Sequence, residues 1–316
     1  MFTTKSPTYE KKPNFNIAFA DKTLNVQIML QPDSSKCENK TLLVLVMSSV
    51  ASFRRRDSIR NSWAHEYNRK ESVVWFVIGK AENSFDSAEI LKEHNKFGDL
   101  VVTDIEDERK DLVFKVLSGF KVYQSLCQDI TFVLKTEENV LLLPDRLAHF
   151  INTGFIQRHD KVIYGIVRNN ATVIRDKSST WYVSRKVYEM RTYPPYCSGP
   201  TYLLTNSSIT AILESTHLTK LIPQEDVLLT GIISKKANIT VLDEKELFTL
   251  RCFTPIGIQT QTGYWSQEQK LRYCFRNFVS CDTYGYPKMA VLFRDPWEPP
   301  VMENVLYEEM LYVKCQ

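Results

Sequence analysis

Long apolar runs are missing from this chain. No clean apolar stretch exceeds six residues, as in Leu42–Met47, whereas a membrane-spanning helix needs about 20. Nor do residues 1–16 hold the apolar block of a signal peptide. Either the protein is soluble where it is made or a targeting segment lies upstream, and the sequence alone does not choose. An excess of one charge is missing too: 40 Lys and Arg against 37 Asp and Glu give a net charge of +3, spread along the chain. That leaves no electrostatic footprint for nucleic acid, and this class is set aside. Glycine is scarce, at ten of 316 residues, and 43% hydrophobic with 24% charged residues is the composition of a folded globular protein. The length allows one large domain or two smaller ones. There is no internal repeat and no low-complexity tract. The seven cysteines show no paired CxxC spacing of the zinc type, and an odd count leaves one unpaired if the others form disulfides. Alone, they fit either redox compartment.

Glycan acceptor sequons are present. Asn39-Lys40-Thr41, Asn170-Ala171-Thr172, Asn206-Ser207-Ser208 and Asn238-Ile239-Thr240 all fit the pattern, which favours a secreted or lumenal protein, although Asn206 adjoins an expected strand. Residues 1–36 are polar and carry Pro7, Pro13 and Pro32, which predicts a loosely ordered stem. From Thr41 the pattern changes. Leu42–Met47, 73–78, Leu100–Thr103 and 131–134 read as strands, and 55–67, 87–96 and 111–126 as helices. In the last helix Leu112, Val116 and Phe120 recur at i, i+4 on one face. Alternating strands and helices predict an α/β fold with a mainly parallel sheet covered on both faces. Ligands then bind beyond the carboxyl ends of the strands, where Lys135-Thr136-Glu137-Glu138-Asn139 is expected. The domain spans 37–250 on this reading, and 251–316, rich in aromatics, prolines and cysteines, is expected as an extension packed upon it.

Four polar clusters stand out. Arginines at 54, 55, 56 and 60 follow the first strand; at a strand–helix junction they can fork onto phosphate oxygens, though a solvated basic helix would look the same. Glu137-Glu138-Asn139 can hold a divalent cation on a diphosphate, since hard cations prefer oxygen, or can form a plain acidic turn. Tyr193-Pro194-Pro195-Tyr196-Cys197-Ser198-Gly199 makes a stiff aromatic loop, either a sugar wall or a packed corner. Glu225-Asp226-Val227 heads an apolar stretch; its carboxylates either cap a helix or supply a general base.

Taken in order, these segments resemble the beta-1,3-galactosyltransferase family, with its related N-acetylglucosaminyl- and N-acetylgalactosaminyltransferases. The resemblance rests on Arg55, Arg56, Ile59, Arg60 and Trp63, then Trp75-Phe76-Val77-Ile78-Gly79, then Asp99, Asp104, Asp107, Leu112 and Lys115. Cys127, Phe132-Val133-Leu134-Lys135-Thr136, Trp181-Tyr182-Val183-Ser184, Tyr188, the Tyr193–Gly199 loop and Glu225-Asp226-Val227 continue it over residues 41–240. The resemblance implies a GT-A fold and an inverting transfer from a UDP-sugar to a glycan hydroxyl. It implies Asp226 as base with Glu225 assisting, and donor contacts from Arg56, Arg60, Lys115, Lys135, Glu137 and Glu138. Trp181, Tyr182, Tyr196 and Gly199 would wall the sugar or acceptor, and Golgi residence behind an N-terminal membrane anchor is usual in the family.

One motif departs from the family. Three consecutive aspartates are usual where this chain has Glu137, Glu138 and Asn139, and the last is the main manganese ligand. Asn139 offers a neutral carbonyl oxygen there, so any Mn2+ is expected at Glu138 and Asn139. The late histidine of many branches is also absent, with nothing beyond His217. Three readings follow: an enzyme with a rearranged metal site, an enzyme using basic side chains instead of metal, or a non-catalytic relative that binds a glycan, a nucleotide or a partner enzyme.

Overall fold

The computed structural model describes residues 13–65, 70–154, 156, 160–244, 248–249 and 290–292. The described chain opens with a hairpin, β1 (Asn14–Ala18) and β2 (Thr23–Leu30), so the expectation of a loose stem through residue 36 is corrected. The period-2 alternation of Leu24, Val26, Ile28 and Leu30 is the reason; Val26 and Ile28 are buried in the core.

Next come β3 (Leu42–Met47), α1 (Phe53–Arg60), β4 (Ser72–Ile78), α2 (Ser84–Phe97), β5 (Leu100–Thr103), α3 (Leu112–Leu126) and β6 (Phe132–Glu137). The helix expected over 55–67 ends early. Ser62 Oγ donates to the Ser58 carbonyl at 2.6 Å, a side-chain bond that competes with the helical ladder. Further on are β7 (Val140–Leu142), α4 (Pro144–Asn152), β8 (Val162–Arg168), β9 (Tyr196–Thr205), α5 (Asn206–Ser215) and β10 (Thr240–Asp243). Between α5 and β10 a helical stretch widens into a π-helical segment, Val227–Ile233. Beyond them β11 (Phe248–Thr249) pairs with β12 (Ala290–Leu292), which also pairs with β7. The rest of the expected C-terminal extension lies outside the described residues.

Nine strands form one sheet in the order β1-β2-β5-β4-β3-β6-β9-β8-β10. Its centre, β5-β4-β3-β6, is parallel, and β9 runs antiparallel between β6 and β8. Every side chain of β3 is buried, alternate residues serving opposite faces. Leu43 and Leu45 meet the cluster that holds Val113, Leu117 and Phe120 of α3, and Leu42 and Val44 meet the one with Ile59 and Ile90. A strand covered on both faces needs an unbroken apolar run, which is what 42–47 supplies. Cys37, just before β3, is disulfide-bonded to Cys127 at the end of α3. Among the described residues Cys197 is the free, buried cysteine.

Candidate active site

The chain reverses its direction of winding between β3 and β6, which opens a crevice beyond their carboxyl ends. Ser48 and Ser49 line it from after β3, Glu137, Glu138 and Asn139 from β6 and the turn behind it, and Arg109 and Lys115 from before and within α3. The cavity they enclose is about 240 Å³.

Its floor is braced by charges that sequence reasoning had assigned to the nucleotide. Arg56 is fully buried; its Nε and Nη2 donate to the two oxygens of Glu93 in α2 at 2.8 and 2.7 Å, and Nη1 donates to Ser48 Oγ at 3.1 Å and to the Ser49 carbonyl. Arg60 donates to both oxygens of Asp99 at 2.8 Å and to Glu93 at 2.7 Å, stacked over Phe97. Neither lines the crevice, so their expected nucleotide contact is corrected to a bracing role. The cause is helix phase: Arg56, Ile59, Arg60 and Trp63 share the inward face of α1 and the turn after it. Arg55, one position round, lines the crevice with its side chain 40% exposed. Lys115 does border the crevice, but its ammonium donates to the Ser48 carbonyl at 2.7 Å and to Asp107 at 2.6 Å. Asp107 in turn accepts from the Val50 amide at 2.7 Å, fixing the loop after β3.

The acidic motif splits into three environments. Glu138 accepts from Ser48 Oγ and Ser52 Oγ at 2.8 Å each and from Arg55, so both of its oxygens have protein partners. Glu137 is half-buried at the end of β6, with Lys135 Nζ 3.9 Å away. The Asn139 side-chain oxygen is buried without any protein partner. A buried carbonyl left unpaired is costly unless something fills its place. Glu137 and Asn139 therefore fit a divalent cation chemically, as two oxygen ligands for an ion whose remaining sites go to phosphate and water. Among the described residues, no cluster of three His, Cys, Asp or Glu is disposed to hold a metal by itself.

Lys135 also departs from expectation. β6 runs on to Glu137, so Lys135 lies inside the sheet, opposite Tyr202 of β9, and is fully buried. Its ammonium donates to the Gly199 carbonyl at 2.6 Å and to Glu225 at 3.1 Å. Burial pulls its pKa down, but the carboxylates of Glu225 and Glu137 outweigh that and hold it above the ordinary lysine value. Glu225 also accepts from the Tyr202 hydroxyl, so it is an internal counter-ion and not an open carboxylate.

Asp226 is the open one. It is partly exposed, with Oδ2 accepting from the Gly199 amide at 3.0 Å and Oδ1 from the Val227 amide at 2.9 Å. Burial raises its pKa, against those two amide bonds and the Lys135 charge. Gly199 is needed for this approach, since a Cβ there would lie 3.0 Å from Asp226 Oδ2. Tyr196 packs beside it, with Tyr193 edge-on at 6.2 Å. Trp181 is 46% exposed and carries the Arg109 guanidinium 3.8 Å from its ring centre; Tyr182, next to it, is half-buried. The Trp181 carbonyl accepts from Gln224 Nε2 at 3.0 Å, which links the aromatic wall to the helix that carries Asp226. Sequence reasoning had Arg55 and Gln224 in its polar clusters without giving either a role of its own, and it missed Arg109 and Ser48. Only Arg55 had a usable signal, the phase of α1.

The sheet thus has a parallel centre with the acidic motif at its crevice, and antiparallel β9 brings Gly199 to the Asp226 carboxylate on the other side. A profile of the galactosyltransferase family matches residues 54–245. The chain is 30% identical over 243 residues to beta-1,3-galactosyltransferase bre-2 of Caenorhabditis elegans, covering 73% of this chain and 67% of that one. To beta-1,3-galactosyltransferase 1 of Homo sapiens it is 28% identical over 211 residues, covering 66% and 64%. The chain thus spans about two thirds of the length of these two relatives. It belongs to the galactosyltransferase family. Among solved structures, a galactosyltransferase in complex with donor and acceptor sugar analogues covers 80% of this chain and 87% of its own, at 9% identity and a TM-score of 0.38.

Proposed function

We propose that the chain is an inverting glycosyltransferase that moves a hexose or N-acetylhexosamine from a UDP-sugar to a glycan hydroxyl, forming a beta-1,3 linkage. The observation that carries this is Asp226. It alone of the neighbouring carboxylates combines partial exposure with a raised pKa and two fixed amide donors. A base needs a free lone pair at a fixed place and a pKa drawn toward the working pH.

In the transfer, the acceptor oxygen bonds to the sugar's anomeric carbon as the carbon–oxygen bond to the diphosphate breaks. The diphosphate leaves with the electron pair, and the acceptor proton passes to an Asp226 carboxylate oxygen. Glu225, held by Lys135 and Tyr202, fixes the start of the helix and does not take the proton. Arg55, Arg109 and Lys115 face the donor's diphosphate from the crevice wall. A cation bound by Glu137 and Asn139 would neutralise part of the diphosphate charge. Trp181, Tyr182 and Tyr196 flank the sugar and acceptor. Residence in the Golgi lumen fits the Cys37–Cys127 disulfide, which needs an oxidising compartment. Among the described residues no helix is long and apolar enough to cross a membrane.

A second reading, a non-catalytic relative that binds a nucleotide or glycan, draws on the engagement of both Glu138 oxygens. Calorimetric titration with UDP, with and without manganese, followed by UDP-release assays over a donor panel, separates the two. The enzyme reading expects UDP binding and release with at least one hexose or N-acetylhexosamine donor. No UDP binding under either condition overturns it, and binding without turnover on any donor and acceptor favours the second reading.

A further inference from the structure

The four sequons do not share one environment. Asn39, Asn170 and Asn238 are exposed, and each sits at a turn with a positive φ of 56°, 54° and 53°. Asn39 precedes β3, Asn170 follows β8, and Asn238 ends the helical stretch before β10. A left-handed turn by itself explains an asparagine, which tolerates that conformation better than most residues. It does not explain a threonine two positions on at all three. Thr172 and Thr240 are exposed and Thr41 is half-buried.

Asn206 differs at every point. It is the half-buried first residue of α5, and its side-chain amide donates to the Gln128 carbonyl at 3.1 Å. The sequon hydroxyl of Ser208 is fully buried, 3.0 Å from the Val162 carbonyl and 2.8 Å from Thr205 Oγ1. A glycan on Asn206 would displace the amide from Gln128 and crowd the α5 start.

We propose that Asn39, Asn170 and Asn238 are N-glycosylation sites and that Asn206 is a silent sequon. The inference rests on the lumenal reading given above. At each used site the asparagine amide nitrogen bonds to the anomeric carbon of a lipid-diphosphate-linked oligosaccharide. The bond from that carbon to the diphosphate breaks, the diphosphate keeps the electron pair, and the amide loses one proton. Strand directions put Asn39 and Asn238 at the sheet edge away from the crevice and Asn170 at the crevice edge.

The test is site mapping on the full chain, secreted from a eukaryotic cell behind an appended signal peptide. Peptide-N-glycosidase digestion in heavy-oxygen water converts each used asparagine to labelled aspartate. Label is expected at residues 39, 170 and 238 and not at 206. Thr41→Ala, Thr172→Ala and Thr240→Ala should each remove one oligosaccharide increment of mass, and Ser208→Ala none. Label at Asn206 in the folded product, or its absence at any of the other three, overturns the assignment. A natural form that stays unmodified while the signal-bearing chain carries all three glycans overturns only the lumenal reading.

Discussion

Asp226 sits where two backbone amides reach it, and burial lifts its pKa above the ordinary 3.8. Its base form therefore disappears at a higher pH than an exposed aspartate's would. The acid limb of kcat/KM should have its midpoint above 3.8, read from UDP release across a pH series; a limb at or below that value contradicts the assignment. Gly199→Ala inserts a methyl 3.0 Å from the Asp226 carboxylate and should lower kcat about 10-fold or more while leaving UDP affinity within a factor of about two. If kcat is unchanged, the carboxylate does not need this position. Asn139 makes the complementary case. Asn139→Asp places a charge where a buried oxygen has no partner, and should tighten manganese binding about 10-fold by calorimetry. No change would mean that Asn139 does not face the cation.

At the scale of elements, the loop after β3 depends on α2. Glu93 is buried between Arg56 and Arg60, whose hydrogen bonds and charges outweigh its burial and hold its carboxyl below the usual 4.5. Glu93→Gln leaves a buried guanidinium with half its partner and should cost about 3–5 kcal/mol at neutral pH, measured by denaturant unfolding. A depressed carboxylate pKa stabilises the fold above its unfolded value and loses that contribution as pH falls through the folded one. The gap between the wild type and Glu93→Gln should therefore narrow below pH 4.5. A gap that does not change with pH would sink this account of Glu93.

The central parallel strands were legible in the sequence because each carries an apolar run of three to six residues buried on both faces. The hairpin of β1 and β2 was hidden by prolines and polar residues that pointed to a stem, although its period-2 alternation was there to be read. The site was legible in part. Asp226, Gly199 and the aromatic loop stand together as the family order implied, but the depth of a side chain is a tertiary property. Lys135 reads as an edge residue until β9 is seen to pair with β6 from Phe132 through Thr136. Arg109 and Trp181 are 72 residues apart, and no local pattern announces that they stack.

For the whole molecule, the Cys37–Cys127 bond closes a loop across 90 residues and ties the entry to β3 to the far end of α3. On the chain-entropy view such a loop contributes about 4–5 kcal/mol by restricting the unfolded chain. Cys37→Ser together with Cys127→Ser should lower the denaturant midpoint accordingly, and an unchanged midpoint would show that the sheet holds without it. The sheet, the braced loop and the helix start together serve one arrangement, in which a donor held in the crevice meets an acceptor hydroxyl at Asp226. The most direct measurement is donor-dependent UDP release by the wild type and by Asp226→Asn, with UDP affinity measured on both. The account predicts release by the wild type, its loss by about 100-fold or more in the variant, and UDP affinity nearly the same in the two. Transfer that survives in Asp226→Asn would contradict it.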